Sequence, residues 1–413
     1  MPCRFPLLAL VVLAPLTAAC GGASDGSAPD DAGEADASPS LVHASDVPID
    51  GLSKDDIAKF NDGDALFDLP FRPADGLGPL YIRTACGSCH QEGSRGPGLV
   101  KKMAIVEADG VTPAADQSAL AYGHTIRDGL TSGATRPIEA PPANASVLVT
   151  LRVGPPVLGR GYLEAVDQAE LARVEGEQAR RGDAIHGVRN HVTFASVANP
   201  DQTFDTYQQN DKVIGRFGLK ARVATLDDFA ADAFQGDMGL TTPMRPTELA
   251  NPEGLTDDQR AGVDLDIDHV NRVTFYMRRI AIPRRVGLTD QGRALFEQVS
   301  CAACHAPTMH TRSDYPIAQL ANIDAPIYTD LLLHDMGPAL ADGQTDGTAT
   351  SPGWRTAPLI GLRFARTYLH DSRAHSVTEA VLAHAGEAAG AVQAFQALSA
   401  DDQRALIEFV EAL

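Results

Sequence analysis

Apolar residues recur at helical spacing in three stretches of the chain. Leu163, Val166, Leu171 and Val174 define one face of a helix expected over Leu163–Arg181 and ended by Gly182. A second helix is expected over Val270–Ile282, where Pro283 stops it. The last begins at Ser399-Ala-Asp-Asp402, a capping-box pattern, and aligns Leu406, Phe409, Val410 and Leu413. Strict apolar alternation is scarce, and Val147–Val153 is its best instance. The expected class is mainly α, with long loops between the helices.

The extreme N-terminus departs from this pattern. Arg4 is followed by the apolar run Phe5–Ala19, which is too short to span a bilayer and has the length of a secretory h-region. It closes on Leu16-Thr-Ala-Ala-Cys20-Gly-Gly, which resembles a bacterial lipobox with its Leu one position early. Residues 1–20 are therefore expected to be a lipoprotein-type signal peptide with Cys20 the lipidated residue. Residues 21–50 carry seven acids, no Lys or Arg and no apolar period, as a disordered acidic tether would.

Over the full 413 residues, 44% are hydrophobic and 21% charged, which is globular material long enough for two domains. The formal charge of −20 excludes a nucleic-acid partner, because phosphate backbones need a basic footprint. For the same reason, membrane contact is expected only through an N-terminal lipid.

Of six cysteines, Cys3 and Cys20 lie in the export segment. The other four form Cys86-Gly-Ser-Cys89-His90 and Cys301-Ala-Ala-Cys304-His305. Cys-x-x-Cys-His is the pattern of c-type haem attachment, with two thiols adding to the vinyl groups and the next imidazole meeting the iron. A zinc site or two disulfides would leave both histidines unexplained, and a thioredoxin-type pair would need a βαβ setting that is missing here. The expectation is two covalently bound haem c groups, with His90 and His305 as axial ligands.

The chain also repeats itself. Gly63-Asp-Ala-Leu-Phe67 precedes the first motif and Gly292-Arg-Ala-Leu-Phe296 the second, each placing a small residue where another helix could pack closely. Downstream, Gly154-Pro-Pro-Val-Leu-Gly159 with Tyr162-Leu-Glu164 echoes Thr356-Ala-Pro-Leu-Ile-Gly361 with Tyr368-Leu-His370. An internal duplication implies two cytochrome c-like haem domains, expected over 51–285 and 286–413.

Several longer motifs resemble the di-haem oxidoreductase family of peroxidase-like and thiol-oxidoreductase proteins. They are Asp75-Gly-Leu-Gly-Pro-Leu80, Gly215-Arg-Phe-Gly-Leu-Lys-Ala221, Tyr328-Thr-Asp-Leu-Leu-Leu-His-Asp-Met-Gly337, Trp354-Arg-Thr-Ala-Pro-Leu359 and Leu369-His-Asp-Ser-Arg-Ala374. The family is distantly similar to bacterial di-haem cytochrome c peroxidases and to the di-haem enzyme that oxidises tryptophans in methylamine dehydrogenase. One departure is Arg181-Gly-Asp-Ala-Ile-His-Gly187, where the family has an Asp/Gly-rich loop.

The resemblance implies an N-terminal haem that meets peroxide and a six-coordinate C-terminal haem that feeds it electrons. It points to Glu164 as the acid/base that moves a proton between peroxide oxygens. Glu379-Ala-Val-Leu-Ala-His384 is similar to the peroxidase segment whose final Met is a distal ligand, so His384 is expected opposite His305. Met336, His334 and His370 compete for that position, and His124 is the nearest candidate for the first haem. Thr356 and Pro358 match a Thr-x-Pro whose backbone holds a calcium ion between the haems in such peroxidases. Trp354, the only tryptophan, is a candidate interhaem path. The implied partners are a small electron-donor cytochrome or cupredoxin and a peroxide. The alternatives are oxidation of a thiol or a partner protein by the same haems, or bare electron transfer.

Overall fold

The computed structural model describes residues 47–91, 99–131, 133–141, 146–193, 199, 204, 212–256 and 262–413. The expected signal peptide, the lipidation at Cys20 and the tether up to residue 46 lie outside them.

In chain order the elements begin with α1 (Lys54–Phe67), β1 (Leu80–Tyr81), β2 (Leu99–Ile105), β3 (Gly129–Leu130) and β4 (Val147–Val153). Next come α2 (Arg160–Ala165), α3 (Gln168–Gln178), β5 (His191–Thr193), β6 (Lys212–Ile214), α4 (Leu226–Met238) and α5 (Ile267–Arg279). The C-terminal part holds α6 (Asp290–Gln298), β7 (Met309–His310), β8 (Asp324–Ala325), β9 (Leu333–Asp335) and β10 (Gly353–Arg355). It finishes with α7 (Val377–Ala383), α8 (Ala389–Gln396) and α9 (Ala400–Glu411).

The expected class, mainly α with two cytochrome c-like domains from a duplication, is corrected by this architecture. Helix accounts for 34% and strand for 15%. Among the described residues the strands pair as five two-stranded antiparallel ribbons: β1–β3, β2–β4, β5–β6, β7–β8 and β9–β10. Eight of the strands have two or three residues, too short to show an alternation; β4 was legible, while its equally long partner β2 lacks alternation because Leu99-Val100 and Lys101-Lys102 are like neighbours. The largest apolar cluster joins Phe60 and Phe67 of α1 to Met309, Leu331 and Ile360, so both halves of the chain build it. A smaller one gathers Phe296, Tyr328, Phe395 and Phe409.

The two small residues before the haem motifs do allow close approach. A Cβ at Gly63 would overlap the Arg272 carbonyl, so α1 lies directly on α5, with Phe60 and Phe67 5.0 and 5.3 Å from the Tyr276 ring. A Cβ at Gly292 would overlap Phe409, which brings α6 onto α9. The Ser399 cap is real, its Oγ accepting from the Asp402 amide. The expected helix 163–181 is two helices. Val166 turns extended with ψ 130°, its successor Asp167 caps α3 by accepting from the Ala169 amide, and Arg216 donates to the Val166 carbonyl.

Candidate haem sites

Both Cys-x-x-Cys-His segments fold into the same turn. The His90 amide donates to the Cys86 carbonyl at 3.0 Å, and the His305 amide to that of Cys301 at 2.9 Å. None of the four thiols is in a disulfide. Burial pushes the Cys86 and Cys301 thiols up to about 12, so both stand as neutral thiols.

His305 and His384 share one arrangement. His305 Nδ1 donates to the Tyr328 carbonyl at 3.2 Å, and His384 Nδ1 to the Ala380 carbonyl at 2.6 Å. A carbonyl can only accept, so the proton sits on Nδ1 and Nε2 carries a bare lone pair, the state of a metal-ligating histidine. Burial pushes His305 down to about 4, and the nearby His384 adds to that shift. His384 is itself lowered by burial. His90 is pushed down to about 4 for the same reason. Its Nδ1 is enclosed beside the Pro155 carbonyl without reaching hydrogen-bond geometry. Its ring lies 6.2 Å from that of Phe67, and a Cβ on Gly154 would stand 3.0 Å from its Cε1.

His90 opens onto a narrow cleft of about 30 Å³ walled by Val157, Phe217, Leu226, Phe229 and Met277, with Arg160 and Arg355 also in its lining. Neutral imidazoles at His90 and His305, the bare Nε2 of His305, thiols at the attachment spacing and apolar walls beside His90 are what a haem requires, and these residues fit one at each motif.

A family model described as "Di-haem oxidoreductase, putative peroxidase" matches residues 131–413. The chain belongs to the di-haem oxidoreductase family. The match takes in Cys301–His305 and starts after Cys86–His90. Among solved structures, the chain is similar to hydrazine synthase from Kuenenia stuttgartiensis at 13% identity and a TM-score of 0.37, covering 97% of this chain and 100% of that one. It is also similar to a variant diheme peroxidase from Burkholderia thailandensis at 15% identity and a TM-score of 0.37, covering 90% and 88%. No curated protein matches.

In this di-haem oxidoreductase, Glu164 does not line the His90 cleft. It is 2% exposed and its carboxylate is fully engaged: Arg278 Nε and Nη2 donate at 2.6 and 3.0 Å, the Leu226 amide at 2.8 Å and Tyr315 Oη at 2.8 Å. Arg278 also donates to Asp227, at 2.6 Å. The expected acid/base is thus a frame residue, its lone pairs taken up before any substrate arrives.

His334 is unsuited to iron as well. Nε2 donates to Asp330 at 2.9 Å and Nδ1 to Glu387 at 2.8 Å, leaving no lone pair. Burial opposes its charge, but hydrogen bonds to Asp330, Cys304 and Glu387 outweigh that and push it up to about 12. His370 stacks on Trp354, ring centroids 4.0 Å apart and 16° from parallel. Met336 is half-buried, its amide donating to the Pro352 carbonyl. His124 is exposed, with Nδ1 donating to the Met103 carbonyl at 3.1 Å.

The Thr356–Pro358 backbone does not fit a calcium ion. The Thr356 carbonyl already accepts from Thr329 Oγ1 at 2.7 Å and from the Arg355 guanidinium at 2.9 Å, a cation in the place another would need. Trp354 lies in β10, opposite His334 in β9, with its indole N–H donating to the Leu340 carbonyl. Buried Lys220 was missed by sequence reasoning. Its Nζ sits 4.0 Å from the Trp354 ring centroid and donates to the carbonyls of Thr350, Ser351 and Gly353. Arg278 and Arg355 were missed too, because an arginine is one of many until its partners are known.

Proposed function

We propose that this protein is an exported, peroxidase-like di-haem oxidoreductase, with one haem attached covalently at each Cys-x-x-Cys-His and electrons passing from the C-terminal centre to the N-terminal one. The haem irons, when bound, supply the one-electron and peroxide-reducing chemistry. What carries the reading is the contrast between the two imidazole environments. His305 shares its surroundings with His384, and both hold a bare Nε2, so the pair suits a centre with two fixed ligands and little reorganisation on reduction. His90 opens instead onto a cleft whose described lining holds no second imidazole to close the far side of an iron held there.

A small cytochrome or cupredoxin is the proposed donor and peroxide the proposed oxidant. The apolar run Phe5–Ala19 and Cys20 support export and a lipid anchor at the periplasmic face of a membrane. Three measurements on the purified protein test this function. Intact mass should show two covalent haems, the ferric spectrum one low-spin and one high-spin haem, and peroxide should be turned over. Two low-spin haems without peroxide turnover would reduce the protein to an electron carrier. Turnover of thiols but not of peroxide would make it a thiol oxidase.

A further inference from the structure

Arg160 and Arg355 are each only 6% exposed, and both line the His90 cleft. Among the described residues neither forms an ion pair. Arg160 Nε donates to the Pro156 carbonyl, Arg355 Nε to Gly218 and its Nη1 to Thr356, all neutral backbone oxygens. Burial drives Arg160 down to about 9, with Arg355 adding to the shift, and burial drives Arg355 to about 10. Nearby Asp330 offsets part of the cost at Arg355, but no carboxylate does so at Arg160, and two desolvated guanidinium groups that repel one another across a cleft are unfavourable unless an anion joins them. A resident anion answers this better than a transient substrate, because the cost is present at all times.

The rest of the lining says which anion. Phe217, Leu226, Phe229 and Met277 offer apolar walls to a flat macrocycle, and His90 offers it a ligand. We propose that Arg160 and Arg355 together hold the two propionate carboxylates of the haem attached at Cys86–His90. Planar guanidinium forks suit carboxylates, and the charges cancel two for two. Arg355 further lies near Asp330, whose amide donates to the Cys304 carbonyl at 2.9 Å. Arg355 would thus hold its propionate from the side of the cleft nearer the second attachment site.

The inference rests on covalent haem at the first motif, so intact mass is read first; a wild type without that haem overturns both. The full two-haem protein is then titrated potentiometrically in wild-type, Arg160→Gln, Arg355→Gln and Arg355→Lys forms. Paired propionates stay ionised, so the wild-type potential of the His90 haem should be flat from about pH 5 to 8. Each Gln variant should lower that potential and give it a one-proton pH slope, and Arg355→Lys should restore most of the flatness. A merely structural arginine would give no such slope and no rescue. A sloping wild type, or Gln variants with unchanged potential and slope, overturns the proposal. So does a wild-type spectrum shifted by nitrate or chloride in a way that both arginines control while the potentials stay put, since the site then takes an exogenous anion. Should the Gln variants fail to accumulate, the wild-type profile and the Lys variant decide.

Discussion

Arg278 is the residue whose removal the structure makes most costly. It is 2% exposed, and its guanidinium joins the buried carboxylates of Glu164 and Asp227 while its Cζ lies 3.5 Å from the Phe204 ring centroid. Arg278→Met keeps the apolar stem and leaves two buried anions facing each other without a cation. Removing one partner of a buried ion pair costs about 3–5 kcal/mol. The described residues belong to one compact unit, and at about 2.1 cal/mol/K of unfolding entropy per residue that loss lowers Tm by roughly 4–6 °C. Scanning calorimetry of the haem-loaded variant reads it. Neutralising both acids as well, in Glu164→Gln/Asp227→Asn/Arg278→Met, should recover at least half of the loss, because no unpaired charge remains. Glu164→Gln alone should change peroxide turnover per haem by less than about threefold, against the 10² to 10⁴ typical of a positioned proton-transfer group. A Tm shift under about 1 °C for Arg278→Met, or strictly additive losses in the triple variant, would refute the frame reasoning. A hundredfold fall in turnover for Glu164→Gln with the fold intact would return that carboxylate to the chemistry.

Two further outcomes are expected. His384→Gly should turn the C-terminal haem high-spin and leave the N-terminal spectrum nearly unchanged; a change at the N-terminal haem instead would misplace α7. The His334 imidazolium is held far above its unfolded value of about 6.5, so the folded state binds a proton that the unfolded chain releases, and stability falls as pH rises beyond about 6.5, by up to about 1.4 kcal/mol per unit. Comparing Tm of wild type and His334→Asn from about pH 6.5 to 9 checks this, and parallel curves would remove His334 as the source.

What the sequence made legible was chemistry with fixed local spacing. Cys86–His90 and Cys301–His305 needed no partner to be read, and the Ser399 cap is complete within three residues. Gly63 and Gly292 announced close helix approach because their own aromatic neighbours, Phe67 and Phe296, marked the packed face. The Glu164 environment was hidden for the opposite reason. Its partners Arg278 and Tyr315 lie 114 and 151 positions away, and nothing local distinguishes a solvated first-turn acid from a buried one. His334 looked like an axial candidate until Glu387, 53 residues on, was seen to take its second nitrogen. The ribbons β7–β8 and β9–β10 were hidden as well, because pairing across a loop leaves no period in strands of two or three residues.

Trp354 ties these observations to electron transfer. One indole is stacked on the His370 ring, with the Lys220 ammonium 4.0 Å from its centroid and the Arg152 guanidinium 5.5 Å away. A cation over a π-face favours the neutral ring and penalises removal of an electron from it. At 4 Å and an effective dielectric constant of 20, the Lys220 charge adds at most about 4 kcal/mol to that penalty, less what Asp342, 3.4 Å from the same Nζ, takes back. Trp354 should therefore resist oxidation when peroxide is turned over. Because it is the only tryptophan in the chain, the assay is clean: peroxide-treated protein is digested and the Trp354 peptide is weighed for added oxygen. Wild type should keep Trp354 intact, Lys220→Met should oxidise it, and Arg152→Gln, losing the more distant charge, should give less. Burial has already brought the Lys220 ammonium down to about 8, against the pull of Asp342, so raising the pH through 8 should reproduce the variant in the wild-type protein. Trp354 oxidation equal in wild type and Lys220→Met at matched turnover, or unchanged across pH 8, would show that the cation does not govern the ring.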